Sequence, residues 1–179
     1  MAFVAGVNRA TGYLVPADVW NNYMGVDGSI DVLHQSLTDL WVPVTLAKIG
    51  GTYTALTALG NFAVAALADA NDVGIMNFRV PSNFSAITTA SIVVVSAVTD
   101  AAANWDIYAT FAASGQAYTT HTTNDTATTY NVTQNQIYLV NCAGILAALA
   151  ANDYCGIQLL LGDSADDVYV VGFYMNWSL

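Results

Sequence analysis

The stretch Trp105-Asp-Ile-Tyr-Ala-Thr-Phe111 decides the fold class of this chain. Apolar residues occupy positions 105, 107, 109 and 111, and Asp106, Tyr108 and Thr110 lie between them. Successive side chains of a β-strand point to opposite faces, so this alternation predicts a strand with one buried face and one exposed face. Trp105 is accordingly predicted to lie in the core.

Similar strands are predicted on both sides of this stretch, separated by clusters of turn-forming residues. They are rich in Val, Ile, Thr, Tyr and Phe, which favour strands. About eight strands joined by short turns predict a mainly β fold, an antiparallel jelly-roll β-sandwich. A short helix at 143–151 is expected to interrupt the strands. The predicted strands span 75–80, 91–98, 105–111, 117–121, 127–133, 136–141, 154–161 and 168–177.

The N-terminal part of the chain has a helical pattern instead. Ser29 is a suitable N-cap for a short helix that Trp41 and Pro43 end. This helix packs either against the same helix of other subunits or against its own β-domain. We predict a helical anchoring and trimerisation segment over 1–41 and a jelly-roll domain over 42–179. The predicted trimer seam has the a and d spacing of a heptad and consists of Ile30, Leu33, Leu37 and Leu40.

Charge in this chain is scarce and one-sided. Of 179 residues only 9% are charged, with 13 acidic residues, 3 basic ones and a net charge of −10, whereas ordinary domains have about 25% charged residues. Such a chain cannot neutralise a nucleic-acid backbone or an anionic membrane surface, so neither is an expected partner. The 55% apolar content excludes intrinsic disorder. We expect no transmembrane helix and no secretion signal.

Low charge combined with high apolar content favours a protein that works within an assembly. The apolar surface is either buried in a large subunit interface or replaced by a neutral surface of Thr, Ser, Asn and Tyr. A monomer with a strongly apolar core is the simpler alternative. The few cations, Lys48 and Arg79 among them, are expected to form ion pairs.

No pattern in the sequence indicates catalysis. An exposed or interface position on the predicted helix explains His34, and His121 has no sequence sign of an orienting acid. Glycosidases need a pair of carboxylates at a defined separation, and no pair of Asp residues stands out here. We therefore expect a non-enzymatic protein without a cofactor.

Metal binding has one weak candidate, a calcium site at Asp163, Asp166 and Asp167. The favoured interpretation is a polar turn in which these carboxylates accept hydrogen bonds from backbone N–H groups, so no metal is expected. Cys142 and Cys155 are interpreted as buried thiols, although their spacing also permits a disulfide.

The aromatic residues divide into two groups. Trp105 and Trp177 alternate with apolar residues and are predicted in the core. The other group has candidates for an exposed face, where tyrosine rings stack on a glycan or fill a subunit interface. These are Tyr108, Tyr118, Tyr130 and Tyr174.

Two stretches resemble surface proteins of tailed-bacteriophage virions. Thr11-Gly-Tyr-Leu-Val-Pro-Ala-Asp-Val-Trp20-Asn21 is similar to the opening of phage fibre and head-surface proteins. From Phe78-Arg-Val-Pro81 onward, the order of Thr-rich strands, a small Leu/Ala helix and a Tyr-rich final strand resembles trimeric jelly-roll knobs. The resemblance implies a virion-anchoring segment that includes Tyr13, Leu14, Val15, Trp20 and Asn21.

The resemblance also implies a homotrimer that contacts the major capsid protein or other virion proteins. The expected function is a capsid decoration, cement or head-fibre protein, assembled in the host cytoplasm and located on the capsid surface. The alternative is a tail-fibre or tail-tip knob that binds a cell-surface glycan. A β-sandwich hydrolase acting on glycans is a third candidate.

Overall fold

A computed structural model describes residues 38–179 of the chain, in which residues 40–179 form a compact unit. These residues are almost entirely β-structure. The strands are β1 (Asp39–Pro43), β2 (Leu46–Ile49), β3 (Thr52–Thr54), β4 (Thr57–Leu59), β5 (Phe62–Leu67), β6 (Val73–Arg79), β7 (Ala86–Ser96), β8 (Asp100–Ala112), β9 (His121–Asp125), β10 (Thr129–Val132), β11 (Ile137–Asn141), β12 (Tyr154–Leu161) and β13 (Val168–Ser178).

The strands form two sheets that pack as a sandwich. One has the order β11-β7-β13-β5-β4, with β1 also paired to β13, and the other has the order β10-β8-β12-β6-β2-β3, with β9 also paired to β8. The eight principal strands, β5 to β8 and β10 to β13, give the orders 11-7-13-5 and 10-8-12-6, which is the double Greek key of a jelly roll. The predicted fold class is confirmed, and β1 to β4 and β9 extend the sheets.

The core between the sheets follows the alternation in the sequence. In β8 and β12 every second side chain is fully buried, including Trp105, Phe111 and Leu159. Trp105 donates its indole N–H to the carbonyl oxygen of Asp166 at 2.9 Å, so its polar atom is satisfied within the core. The side chains between them point away from the other sheet and form an outer face.

Three local predictions need correction. Residues 117–120 form a turn rather than a strand, because Thr120 donates both its N–H and its hydroxyl to the carbonyl of Ala117. The helix predicted at 143–151 shrinks to a 3₁₀ turn, Gly144–Leu146. The β-domain starts before residue 42, because β1 begins at Asp39.

The end of the predicted trimer seam is also corrected. Leu40 lies in β1, where it is half-buried and packs against the sandwich core, so the helix does not extend to this residue. The exposed Trp41 and the buried Val42 beside it show the period of a strand. Ile30, Leu33 and Leu37 lie outside the described residues. Within residues 38–179 no helix is long and apolar enough to cross a membrane.

Candidate functional site

A groove lies on the outer face of the seven-stranded sheet. Its larger part has a volume of about 700 Å³ and is bounded by β6, β12, the end of β8 and the loop that follows β8. A smaller hollow of about 280 Å³ shares Thr110 and Gly156 with it and continues toward the middle of the strands. We call the two together the outer groove.

Strand register sets the order of side chains along the outer groove. Register partners in paired strands lie side by side on the same face of the sheet. Each row across the sheet therefore places a fixed set of side chains next to one another. Going from the loop end inward, the rows are Arg79–Tyr154–Ala112, then Asn77–Gly156–Thr110–Thr122, then Ile75–Gln158–Tyr108–Asn124.

Tyrosine rings stand at several points of the outer groove. Tyr154 is 59% exposed at the start of β12, and Tyr118 is 81% exposed on the loop opposite. Tyr108 is half-buried in the smaller hollow. Two of the four predicted tyrosines, Tyr108 and Tyr118, are therefore brought to one face.

The other two predicted tyrosines lie elsewhere. Tyr130 stacks on Trp105 with ring centroids 5.5 Å apart and packs against the core, so its predicted exposure is wrong. Burial, together with the negative charge of Asp125, raises the pKa of Tyr130 to about 12. Tyr174 is on β13, in the opposite sheet.

Polar side chains in the outer groove are free to bond to a ligand. Among the described residues, Asn77, Tyr154 and Gln158 make no side-chain hydrogen bond. Gln116 uses its amide oxygen to accept the N–H of Ala113 at 3.0 Å, which leaves its NH₂ group available. The groove therefore offers amide and hydroxyl groups beside aromatic rings.

A glycine keeps the centre of the groove open. A Cβ atom on Gly156 would stand 3.1 Å from the side-chain oxygen of Asn77 and would rise from the floor between Asn77 and Thr110. The missing side chain therefore provides the depression in which the two hollows join.

Charge is distributed unevenly along the outer face. Arg79 is the single charged residue that lines the outer groove in the part of the chain described, and no Asp lines it there. One row beyond the smaller hollow, Asp106 sits opposite Leu160. Desolvation, followed by the charge of Asp125, raises the pKa of Asp106.

The stretch considered as a calcium candidate is a turn in which Asp163 and Asp166 accept backbone N–H groups. Asp163 accepts the N–H of Ala165 at 3.0 Å, and Asp166 accepts the N–H of Asn104 at 2.7 Å. Burial and the carboxylates of Asp69, Asp166 and Asp72 raise the pKa of Asp167. No group of metal-binding side chains is found within residues 38–179.

The remaining reactive side chains are in structural positions. Cys142 and Cys155 are buried free thiols, and desolvation raises the pKa of each to about 12, which makes the thiolate scarce. The ring of His121 stacks on Phe111 at 4.9 Å. The predicted virion-anchoring residues (Tyr13, Leu14, Val15, Trp20 and Asn21) and His34 lie outside the described residues.

Several groove residues escape prediction from the sequence. Tyr154 begins a stretch that looks buried throughout, and only the register with β6 places it beside Arg79. The signal that could have found it is the alternation of Tyr154, Gly156 and Gln158 with buried residues. Asn77 and Gln116 belong to no sequence motif that indicates a binding site.

Comparison with known proteins adds little. No family model matches the sequence, and no curated protein matches it. One similar solved structure is the carbohydrate-binding module CBM36 in complex with calcium and xylotriose. It is 18% identical, covers 76% of this chain and 97% of its own, and has a TM-score of 0.40. A likeness at this level says nothing about the ligand of the present chain.

Proposed function

We propose that this chain is a non-enzymatic, glycan-binding knob of a bacteriophage virion, and that the outer groove holds the glycan. The observation that carries the proposal is the chemistry of the groove, where exposed Tyr118 and Tyr154 line the larger part together with the unbonded Asn77. The unbonded Gln158 lines the adjoining smaller hollow. The virion location rests on the sequence resemblance alone.

The groove suits a sugar better than a flat apolar ligand. The C–H face of a pyranose ring stacks on tyrosine, and its hydroxyls exchange hydrogen bonds with amide and hydroxyl groups. The groove extends over three successive rows of side chains, from the Arg79 row to the Gln158 row, which fits a chain of several sugar units. Binding without catalysis is supported by the lack of Asp among the described lining residues, because glycoside hydrolysis uses a pair of carboxylic acids.

The proposal is tested by screening the purified protein on a glycan array and titrating the best-bound oligosaccharide by calorimetry. Tyr154→Ala should weaken binding about tenfold, ~1.4 kcal/mol, because it removes the stacking ring. Tyr53→Ala is the matched control, since Tyr53 is 62% exposed on β3 and does not line the groove. Glycan binding that survives Tyr154→Ala and Tyr118→Ala together would contradict the groove as the site.

A second candidate function is the trimeric capsid decoration or cement protein. It is favoured by the edge strand β11, where Ile137 and Leu139 are 59% and 64% exposed in a chain with few charges. Exposed apolar side chains beside unpaired strand edges are typical of a surface that a partner covers. Loss of capsid stability on removal of the protein, with no glycan bound on the array, would favour this function over the first.

A further inference from the structure

Within residues 38–179, Arg79 is the one cation that lines the outer groove. The chain has 13 acidic and 3 basic residues, so carboxylates are abundant. Within residues 38–179 Arg79 nevertheless forms no ion pair, and its one side-chain bond is to a neutral amide. The expected ion pair of Arg79 is not found among these residues.

The guanidinium is held at the loop end of the outer groove. Its Nη2 donates to the side-chain oxygen of Asn152 at 2.6 Å. Asn152 is itself fixed, with a left-handed φ of 71° and a backbone N–H that bonds to the carbonyl of Val80 at 3.2 Å. One N–H of the guanidinium is used in this way, and the others remain for a ligand because guanidinium has five.

The position of Arg79 joins a charge to a stacking surface. Arg79 and Tyr154 are register partners in adjacent strands, so their side chains are neighbours on the outer face. A guanidinium forms two parallel hydrogen bonds with a carboxylate, which a point charge such as an ammonium does not match. A sugar ring on Tyr154 would therefore carry a carboxylate substituent to Arg79.

The other end of the outer face has the opposite charge. Asp106 lies six residues along β8 from Ala112, which belongs to the Arg79 row, and this separation is about 20 Å at a rise of ~3.3 Å per residue. After desolvation, the negative charge of Asp125 is the second cause that raises the pKa of Asp106 there. A polymer with an acid on every sugar would meet these carboxylates and the net charge of −10, and it would be repelled.

We propose that the outer groove recognises a glycan that ends in one acidic sugar and continues with neutral sugars. The terminal carboxylate binds Arg79, its ring lies against Tyr154, and the neutral sugars extend along β12 toward Gln158 and Tyr108. Because no Asp among the described residues lines the loop end, this half of the groove is the place where a carboxylate is tolerated. The inference rests on the proposed glycan-binding function and narrows its ligand class.

The test compares oligosaccharides that end in glucuronic, galacturonic or sialic acid with the same compounds after reduction of the carboxyl to an alcohol. Calorimetry with the wild-type protein should show at least tenfold weaker binding of the reduced form of the best acidic ligand. Arg79→Gln should bind the acidic form no more tightly than the wild-type protein binds the reduced form. Arg79→Lys should have an affinity for the acidic form between those of Arg79→Gln and the wild type. Lys48→Gln is the control, because Lys48 lies on β2 outside the groove.

The outcomes separate this inference from the proposed function. One outcome is that the wild-type protein binds the acidic and reduced forms equally while Tyr154→Ala loses affinity for both. That result overturns the proposal of an acidic ligand and leaves the glycan-binding proposal intact. Stronger binding of a fully acidic polymer than of a singly acidic oligosaccharide also overturns it. If no glycan of either kind binds, both proposals are wrong. The comparison of ligands uses unaltered protein, so it does not depend on the folding of any variant.

Discussion

At the scale of single residues, the core is fixed by side chains that satisfy both packing and polarity. Trp105 fills the space between the sheets, stacks on Tyr130 and donates its N–H to the carbonyl of Asp166. This bond ties β8 to the turn before β13, whose residues are all small or polar. The same turn concentrates carboxylates, so its stability depends on charge as well as on packing.

We predict that Trp105→Phe destabilises the fold by about 1–3 kcal/mol. The smaller ring leaves a void and deprives the buried carbonyl of Asp166 of its partner. Urea unfolding followed by circular dichroism measures the change. Trp41→Phe, at a position 50% exposed, should cost less. If Trp105→Phe lowers the free energy of unfolding no more than Trp41→Phe does, this account of the core is contradicted.

Asp167→Asn should stabilise the protein at neutral pH. Desolvation and the nearby carboxylates raise the pKa of Asp167 in the folded state, so its charged form opposes folding above that pKa. As pH falls through the folded pKa toward the unfolded value of about 3.9, the wild type regains this stability. Thermal unfolding at several pH values should show a higher midpoint for the variant at pH 7 and a shrinking difference toward pH 3. A variant less stable at pH 7 would refute the charge argument.

At the scale of strands, periodicity predicts the long elements but misses several of the short ones. The alternation in β8 and the apolar runs of β12 and β13 are strong because each buries a full face. Strands of three to five residues such as β1, β3 and β4 exist because of their pairing partners, which the sequence does not display. The sequence pattern places Leu40 in a helix for this reason.

The candidate site is only partly predictable, also because of pairing. Tyr108 and Tyr118 are predicted to be exposed, but Arg79 and Tyr154 become neighbours only through the register of β6 with β12. The prediction for Tyr130 is wrong, since alternation alone does not show that its ring reaches Trp105.

The packing of β1 on β13 depends on Gly172. A Cβ atom there would lie 2.5 Å from the carbonyl oxygen of Val42 and 2.8 Å from the ring of Trp41. We therefore predict that Gly172→Ala displaces β1 and costs about 1–3 kcal/mol. Hydrogen exchange at Val42 and Val44 should accelerate in this variant.

The control for this prediction is Gly144→Ala. A Cβ atom added to Gly144 would have no neighbour within 4 Å among the described residues, and this glycine has no left-handed φ. The substitution should therefore leave stability nearly unchanged. The account is contradicted if the Gly172→Ala protein is as stable as the Gly144→Ala protein and hydrogen exchange in β1 is unaltered. The close approach of β1 to residue 172 would then not be required for stability.

At the scale of the whole molecule, the two proposed functions use different parts of the described sandwich. The outer groove lies on the seven-stranded sheet, and the exposed apolar residues of β11 lie at an edge of the six-stranded sheet. The proposed glycan and a proposed neighbouring subunit would therefore not compete for the same surface. The low charge of the chain is consistent with this division, because a groove with one cation and an apolar edge both need few ions.

If the chain forms the proposed homotrimer, light scattering coupled to size exclusion should give about 57 kDa, three times the 18.9 kDa of one chain. Leu139→Asp should lower this mass if β11 takes part in the assembly, whereas Tyr53→Ala should not. A mass of about 19 kDa for the wild type would contradict the trimer and leave the glycan-binding proposal in place.

The measurement that tests the central claim most directly is an amide chemical-shift titration with the best-bound oligosaccharide. Binding in the outer groove should shift the amides of Asn77, Thr110 and Gly156 and leave those of Tyr174 and Leu139, on the other sheet, in place. Shifts confined to the six-stranded sheet, or no shifts with any glycan, would contradict the claim that the groove is a glycan-binding site.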